Sequence, residues 1–183
     1  MSRGTISRVV DRLDQFVDVF GRSIAWLTLA LVGLVAANVL ARYLFSLGNV
    51  ALQELEWHLM AVLALIGISY GINRGEEVRV DMLYARFTPR SKAFVDAIAA
   101  VLTILVAALM FKLSLAYVAQ SYNLQEGSPD PGGLPYRFLL KTFLPIGFAL
   151  LLLQGIVELA KAIRRYSSST RIQRELEEAS DGQ

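Results

Sequence analysis

Residues 23–41 have the sequence SIAWLTLALVGLVAANVLA, a run of 19 residues without a charged side chain. A helix needs about 20 mostly apolar residues to cross the hydrocarbon core of a bilayer. The run is longer than the apolar core of a cleaved signal peptide, which has about 7–15 residues. Three aspartates precede it, Asp11, Asp14 and Asp18, and they suit a folded segment better than a basic leader. The stretch therefore predicts a transmembrane helix.

Three further runs follow the same pattern. Residues 57–73, 97–111 and 142–157 carry no charged side chain over 17, 15 and 16 residues. The third run extends past Lys112, and the fourth gains length from Leu139, Leu140 and Lys141, if both lysines reach toward a membrane surface. The sequence thus predicts an all-α integral membrane protein with four transmembrane helices. We place them at about 23–43, 55–73, 89–124 and 135–165, within a membrane domain of residues 23–165.

The composition agrees with this class. Of 183 residues, 55% are hydrophobic and 19% charged, and the mean hydropathy is +0.47. The chain has no cysteine and one histidine, His58, which excludes disulfides, thiolate catalysis and Cys-ligated or His-rich metal centres. A net charge of +2 is too small to indicate nucleic-acid binding. No nucleotide-binding or hydrolase motif is present, so we predict neither a cofactor nor an enzyme.

The two ends of the chain differ from the spans. In residues 1–22, apolar side chains recur at helical spacing opposite a charged face. This pattern predicts an amphipathic helix that lies at the inner membrane interface or packs on a partner, and a plain extension of the first span is the alternative. Its apolar stripe comprises Ile6, Val9, Val10, Leu13, Phe16, Val17 and Phe20. Residues 166–183 are rich in Ser, Glu and Arg, and we expect a solvated, partly disordered tail.

Basic residues orient the spans. Arginines and lysines are frequent before the first span, between the second and third, and after the fourth, and they are sparse in the other two connections. Because basic residues stay on the cytoplasmic side, both termini are predicted to be cytoplasmic.

Ionisable residues cluster at the outer start of the second span. Glu54 and His58 share a helical face, and Glu56 and Trp57 lie between them. Carboxylates suit a helix N-terminus, and His58 beside Trp57 suits the aromatic belt, so we favour a structural or docking role over a metal or proton site. Arg42 lies across the short outer connection and can pair with Glu54 or Glu56.

Small residues and prolines mark helix contacts and helix ends. Gly67, Gly71 and Gly75 recur every four residues, which favours close approach of another helix, in this chain or another. Thr88 and Pro89 predict the N-cap and first residue of the third helix, which would be about 55 Å long and strongly tilted.

Prolines also shape the outer part of the chain. The loop GSPDPGGLP, residues 127–135, contains Asp130 and Pro131 and predicts a compact turn. Pro135 can start the fourth helix, and Pro145 should kink it.

Together these segments resemble the small membrane subunit of tripartite ATP-independent periplasmic (TRAP) transporters, the DctQ-type small permease. The resemblance covers about residues 20–165, with Arg79 and Asp81 in its inner-loop segment. Its segments are ARYLF (41–45), LQELEWHL (52–59), RGEEVRVD (74–81), SPDPGGLPYRFL (128–139) and PIGFALLLLQGIVEL (145–159).

The resemblance implies a subunit that braces the scaffold of a large, elevator-type membrane subunit in the inner membrane. It implies a periplasmic substrate-binding protein and membrane lipid as further partners, and a small organic acid or related solute as cargo. No acidic residue lies in the middle of a span, which agrees with a chain that holds no substrate itself. The alternatives are a homo-oligomeric channel or small transporter built on the glycine face, and a membrane enzyme using Glu54, Glu56 and His58.

Overall fold

The computed structural model describes residues 3–46, 48–76, 84 and 86–181, and every long element in this part is helical. In chain order the helices are α1 (Arg3–Phe45), α2 (Val50–Arg74), α3 (Pro89–Asn123), α4 (Arg137–Lys141) and α5 (Phe143–Asp181). Four candidate spans are long and apolar enough to cross a membrane: Val10–Phe45, Val50–Arg74, Pro89–Asn123 and Arg137–Ser168. The predicted all-helical class and the number of candidate spans are confirmed.

Helix α1 is continuous from Arg3 to Phe45 and is about 64 Å long at 1.5 Å per residue. The separate N-terminal helix that the amphipathic pattern predicted is not distinct from the first span, so the structure follows the alternative of an extension. The buried face also differs from the predicted stripe. Val10 and Val17 are buried, but Phe16 is 55% exposed and Asp14 lies on the packed side.

The ends of α2 and α3 follow local rules. Asn49 caps α2 by accepting a hydrogen bond from the backbone of Leu52, and Gly75 ends it in the left-handed conformation with φ 70°. Thr88 caps α3 by accepting from the backbone of Ser91, and Pro89 occupies the first turn, as the sequence predicted.

The fourth span begins differently from its prediction. Pro135 does not start it: Tyr136 is left-handed, with φ 60°, and α4 begins at Arg137. The chain then turns at Thr142, and Pro145 lies buried in the first turn of α5. Because proline has no N–H for the carbonyl of Lys141, the expected kink occurs as a separation into two helices.

Helix α5 continues to Asp181, where a partly disordered tail was expected. Residues 171–181, RIQRELEEASD, contain mostly strong helix formers, with Arg and Glu at i, i+4 spacing. Helix propensity therefore outweighs the polar composition on which the expectation of disorder relied.

Helix α5 is the centre of the assembly and contacts α1, α2 and α3, while α1 also packs on α2. Its contact with α3 is the most extensive of these. The buried residues of α3 are small and recur every seven positions: Ala93, Ala100, Ala107, Ser114 and Ser121. A heptad of small side chains lets two antiparallel helices approach closely. A second cluster contains Val62, Ile66 and Leu150, with Phe20, Ile24 and Leu27 packed against it.

Candidate functional site

The carboxylate of Glu54 holds the loop between α3 and α4 in place. Glu54 is only 1% exposed although it lies at the start of α2. It accepts a hydrogen bond from the hydroxyl of Ser128 and one from the backbone N–H of Leu134 at 2.6 Å. The guanidinium of Arg137 lies 3.8 Å away. One buried carboxylate thus closes the loop that connects α3 to α4.

Glu126 forms a second link in the same loop. Its carboxylate accepts hydrogen bonds from Ser121 at 2.7 Å and from Lys141 at 2.5 Å. These hydrogen bonds, that of Lys141 foremost, hold the pKa of Glu126 below its ordinary value of 4.5. The ammonium of Lys141 also lies 4.0 Å from the ring centroid of Tyr117. Lys141 therefore joins α3, the loop and α4, and does not extend alone toward the surface as the sequence suggested.

The neighbours of Glu54 have separate partners. Glu56 accepts a hydrogen bond from the buried amide of Asn38 at 2.8 Å, which ties α1 to α2. Arg42 is exposed, and among the residues described Glu54 pairs with Arg137 and Glu56 with Asn38. His58 is partly buried, with its Nδ1 beside the carbonyl of Glu54, and Trp57 is 63% exposed.

The remaining loop candidates lie at the surface. Asp130, Pro131 and Pro135 are exposed, and the carbonyl of Asp130 accepts a bond from Gly133 at 3.0 Å. An added Cβ at Gly133 would lie 2.8 Å from the carboxylate of Glu54, so glycine is needed there. Arg79 and Asp81, the inner-loop candidates, lie outside the residues that the structure describes.

A polar cluster at the opposite end of the helices was not predicted. The carboxylate of Asp14 accepts hydrogen bonds from Lys161 and Asn73, both at 2.7 Å. Lys161 also donates to Glu158 at 2.9 Å, and so does the fully buried Gln154 at 3.1 Å. The cluster joins α1, α2 and α5. The amphipathic pattern of residues 1–22 places Asp14 on the charged face, opposite the apolar stripe. Its i, i+3 spacing to Val17 of that stripe was the sequence feature that could have indicated a packed position.

The predicted packing glycines have different surroundings from one another. An added Cβ at Gly67 or Gly71 would meet no atom within 4 Å, so no described part of this chain packs on them. Gly75 serves as the C-cap of α2. Close packing inside the chain involves other glycines, because a Cβ at Gly147 would lie 2.7 Å from Leu65 and one at Gly155 would lie 3.0 Å from Ile104. Among the described residues, the face of α2 with Gly67 and Gly71 is therefore open to an added side chain.

Much of the remaining helix surface is apolar and uncovered. Only 6% of the best window of the first span is buried, and 11% of that of the third. In the described residues the polar groups named above bond to one another at the two ends of the helices. The arrangement thus joins helices internally and presents apolar faces outward, which is suited to lipid and to another membrane protein.

Residues 31–165 match the family model described as tripartite ATP-independent periplasmic transporters, DctQ component. The chain belongs to the DctQ family. DctQ proteins are the small membrane subunits of TRAP transporters, a family of transporter components and not of enzymes. In TRAP systems they function with a large membrane subunit and a periplasmic binding protein. The match and the four apolar helices identify a multi-pass inner-membrane protein of TRAP transport. No curated protein matches the chain.

Proposed function

We propose that this DctQ protein braces the immobile scaffold of the large, elevator-type membrane subunit, and that it holds no solute itself. The observation that carries the proposal is the open face of α2 at Gly67 and Gly71, where an added Cβ meets nothing within 4 Å. Small residues on an exposed helical face permit close approach of a second helix. No described part of the chain packs on this face, which supports its use by a partner.

The polar links support a bracing role. Glu54 ties the outer loop to α2, Glu56 ties α2 to α1, and Asp14 ties α1 to α2 and α5. Helices α1, α2 and α5 are thus each joined to a neighbouring helix by a charged or amide side chain. A subunit that supports a moving partner must itself be rigid, and such links at both ends supply rigidity.

The cargo and the orientation belong to the same proposal. The motifs of the α2 start and the outer loop favour a small organic acid or related solute, delivered by the periplasmic binding protein. The basic residues of the inner connections favour cytoplasmic termini. In this orientation the loop held by Glu54 faces the periplasm.

Co-purification with the large subunit tests the bracing role. Gly71→Leu adds a bulky side chain to the open face and should reduce recovery of the complex by at least about fivefold, without unfolding the chain. Gly33→Leu is the matched control, because Gly33 is likewise a helical glycine whose added Cβ would meet nothing within 4 Å. Equal recovery of both variants would contradict the proposed contact face. Solute uptake by the purified chain alone in liposomes would favour the homo-oligomeric channel instead.

A further inference from the structure

A groove of about 520 Å³ opens between the first turns of α3 and the α5 segment around Arg164 and Arg165. Its lining includes three basic side chains, those of Lys92, Arg164 and Arg165, against one acid, Asp96. Among the described residues of the lining, basic side chains thus exceed acidic ones by two. None of the links described above uses these residues.

Among the described residues of the groove, Asp96 accepts a hydrogen bond and forms an ion pair. The carboxylate of Asp96 accepts from the hydroxyl of Tyr84 at 2.9 Å and pairs with Arg165 at 3.2 Å. The ammonium of Lys92 lies 5.1 Å from the ring centroid of Tyr84. Among the described residues no carboxylate pairs with Lys92 or Arg164. Both cations are therefore available to an anion that enters the groove.

The position of the groove adds a second favourable element. Pro89 lines it at the first turn of α3, where the helix dipole places partial positive charge. The adjoining surface toward the middle of the helices is apolar: Phe94 is 58% exposed, Ile98 46% and Ile163 54%. A basic groove at the end of a span, next to apolar helix faces, matches a phosphate headgroup with acyl chains beyond it.

We propose that this groove binds the phosphate headgroup of an anionic phospholipid, with Lys92 and Arg164 contacting the phosphate oxygens. Pockets of this kind between transmembrane helices bind acidic headgroups because the basic side chains lie at the depth of the phosphate layer. The proposal depends on the chain residing in a membrane and not on contact with the large subunit. Its failure and the failure of the bracing role are therefore separable.

Native mass spectrometry of the full chain in detergent tests the site, with phosphatidylglycerol, cardiolipin or phosphatidylcholine added. The expected result is preferential binding of the two anionic lipids. The double variant Lys92→Ala/Arg164→Ala should weaken their binding at least about tenfold. The matched control is Lys112→Gln/Arg42→Gln, which removes two exposed basic residues far from the groove and should leave binding unchanged.

A variant that should strengthen lipid binding controls for misfolding. Asp96→Asn removes the one acid among the described lining residues and should strengthen binding of phosphatidylglycerol, a gain that loss of structure cannot produce. Equal binding of phosphatidylcholine would overturn the proposal, and so would equal loss in the double variant and its control. Displacement of the lipid by millimolar inorganic phosphate alone would also overturn it, because the site would then serve a free anion.

Discussion

The carboxylate of Glu54, near the start of α2, lies 2.6 Å from the backbone nitrogen of Leu134 in the loop before α4. The two residues are 80 positions apart in the chain. Ser128 donates to the same carboxylate, and the side chain of Glu54 is almost completely excluded from solvent. A residue that charge patterns place at an exposed helix start is thus buried and bonds to two residues of the loop between α3 and α4.

The first prediction concerns this loop. Glu54→Gln removes the charge that strengthens the hydrogen bonds from Leu134 and Ser128, so the loop should open more often. We expect the amide of Leu134 to exchange with deuterium about tenfold faster, measured by hydrogen-exchange mass spectrometry. Asp130→Asn, at an exposed position in the same loop, should leave this rate unchanged. Equal protection of Leu134 in both variants would contradict the assigned role.

The second prediction concerns the contact between α3 and α5. Ala107 is fully buried in the heptad of small residues, whereas the adjacent Ala108 is exposed. Ala107→Leu should separate the helices and cost about 1–3 kcal/mol in the free energy of unfolding. Ala108→Leu inserts the same side chain on the exposed face and should cost much less. Denaturant titration of both variants in mixed micelles measures the difference, and similar costs would show that the heptad is not the contact.

The third prediction concerns the cluster around Asp14. Asp14→Asn leaves Lys161 with Glu158 alone and weakens the link of α1 to α5. We expect a loss of about 1–3 kcal/mol in the free energy of unfolding, since the hydrogen bonds involved have a charged partner. Asp11→Asn, at an exposed position one turn earlier, is the control and should have little effect. A negligible cost for Asp14→Asn would place α1 outside the cooperative unit.

The fourth prediction concerns pH. Because the pKa of Glu126 is lower in the folded chain than its ordinary value of 4.5, folding favours the ionised form. The stabilising contribution is complete above that ordinary value and disappears as the pH falls through the lowered pKa. The difference in Tm between the wild type and Glu126→Gln should therefore stay at its full size from neutral pH down to about that ordinary value and shrink only at more acidic pH. Gln125→Ala is the control for general disturbance of the loop, and a constant difference for Glu126→Gln across the pH range would refute the link to Lys141.

The fifth prediction concerns orientation, and the absence of native cysteine makes it easy to test. With cytoplasmic termini, Gln125→Cys should react with an impermeant maleimide in cells whose outer membrane has been permeabilised. Arg86→Cys, also exposed, should react only after the inner membrane is opened. The opposite labelling pattern would reverse the proposed topology.

Features that depend on neighbours along the chain could be predicted from the sequence. The number of spans follows from uncharged runs, and the start of α3 follows from Thr88 and Pro89, because hydropathy and capping depend on residues a few positions apart. The break before α5 was anticipated from Pro145 for the same reason. The family resemblance also rests on local motifs and their order.

Pairing between distant residues could not be obtained in this way. Glu54, Glu56 and Arg42 are near one another in the predicted outer ends, and charge alone does not decide which of them pair. In the tertiary structure Glu54 accepts a hydrogen bond from the distant loop and Glu56 accepts one from Asn38, while Arg42 is exposed. It also shows that Gly147 and Gly155 pack internally while Gly67 and Gly71 are open.

The sequence by itself therefore determined a four-span helical membrane protein, the start of α3 and the transporter family. Only the tertiary structure decided which polar groups join the helices and which faces stay uncovered. The physical reason is that hydropathy and helix propensity are properties of short segments. The partner of a carboxylate or of a glycine face is determined by helix crossings between residues as far apart as Asp14 and Lys161.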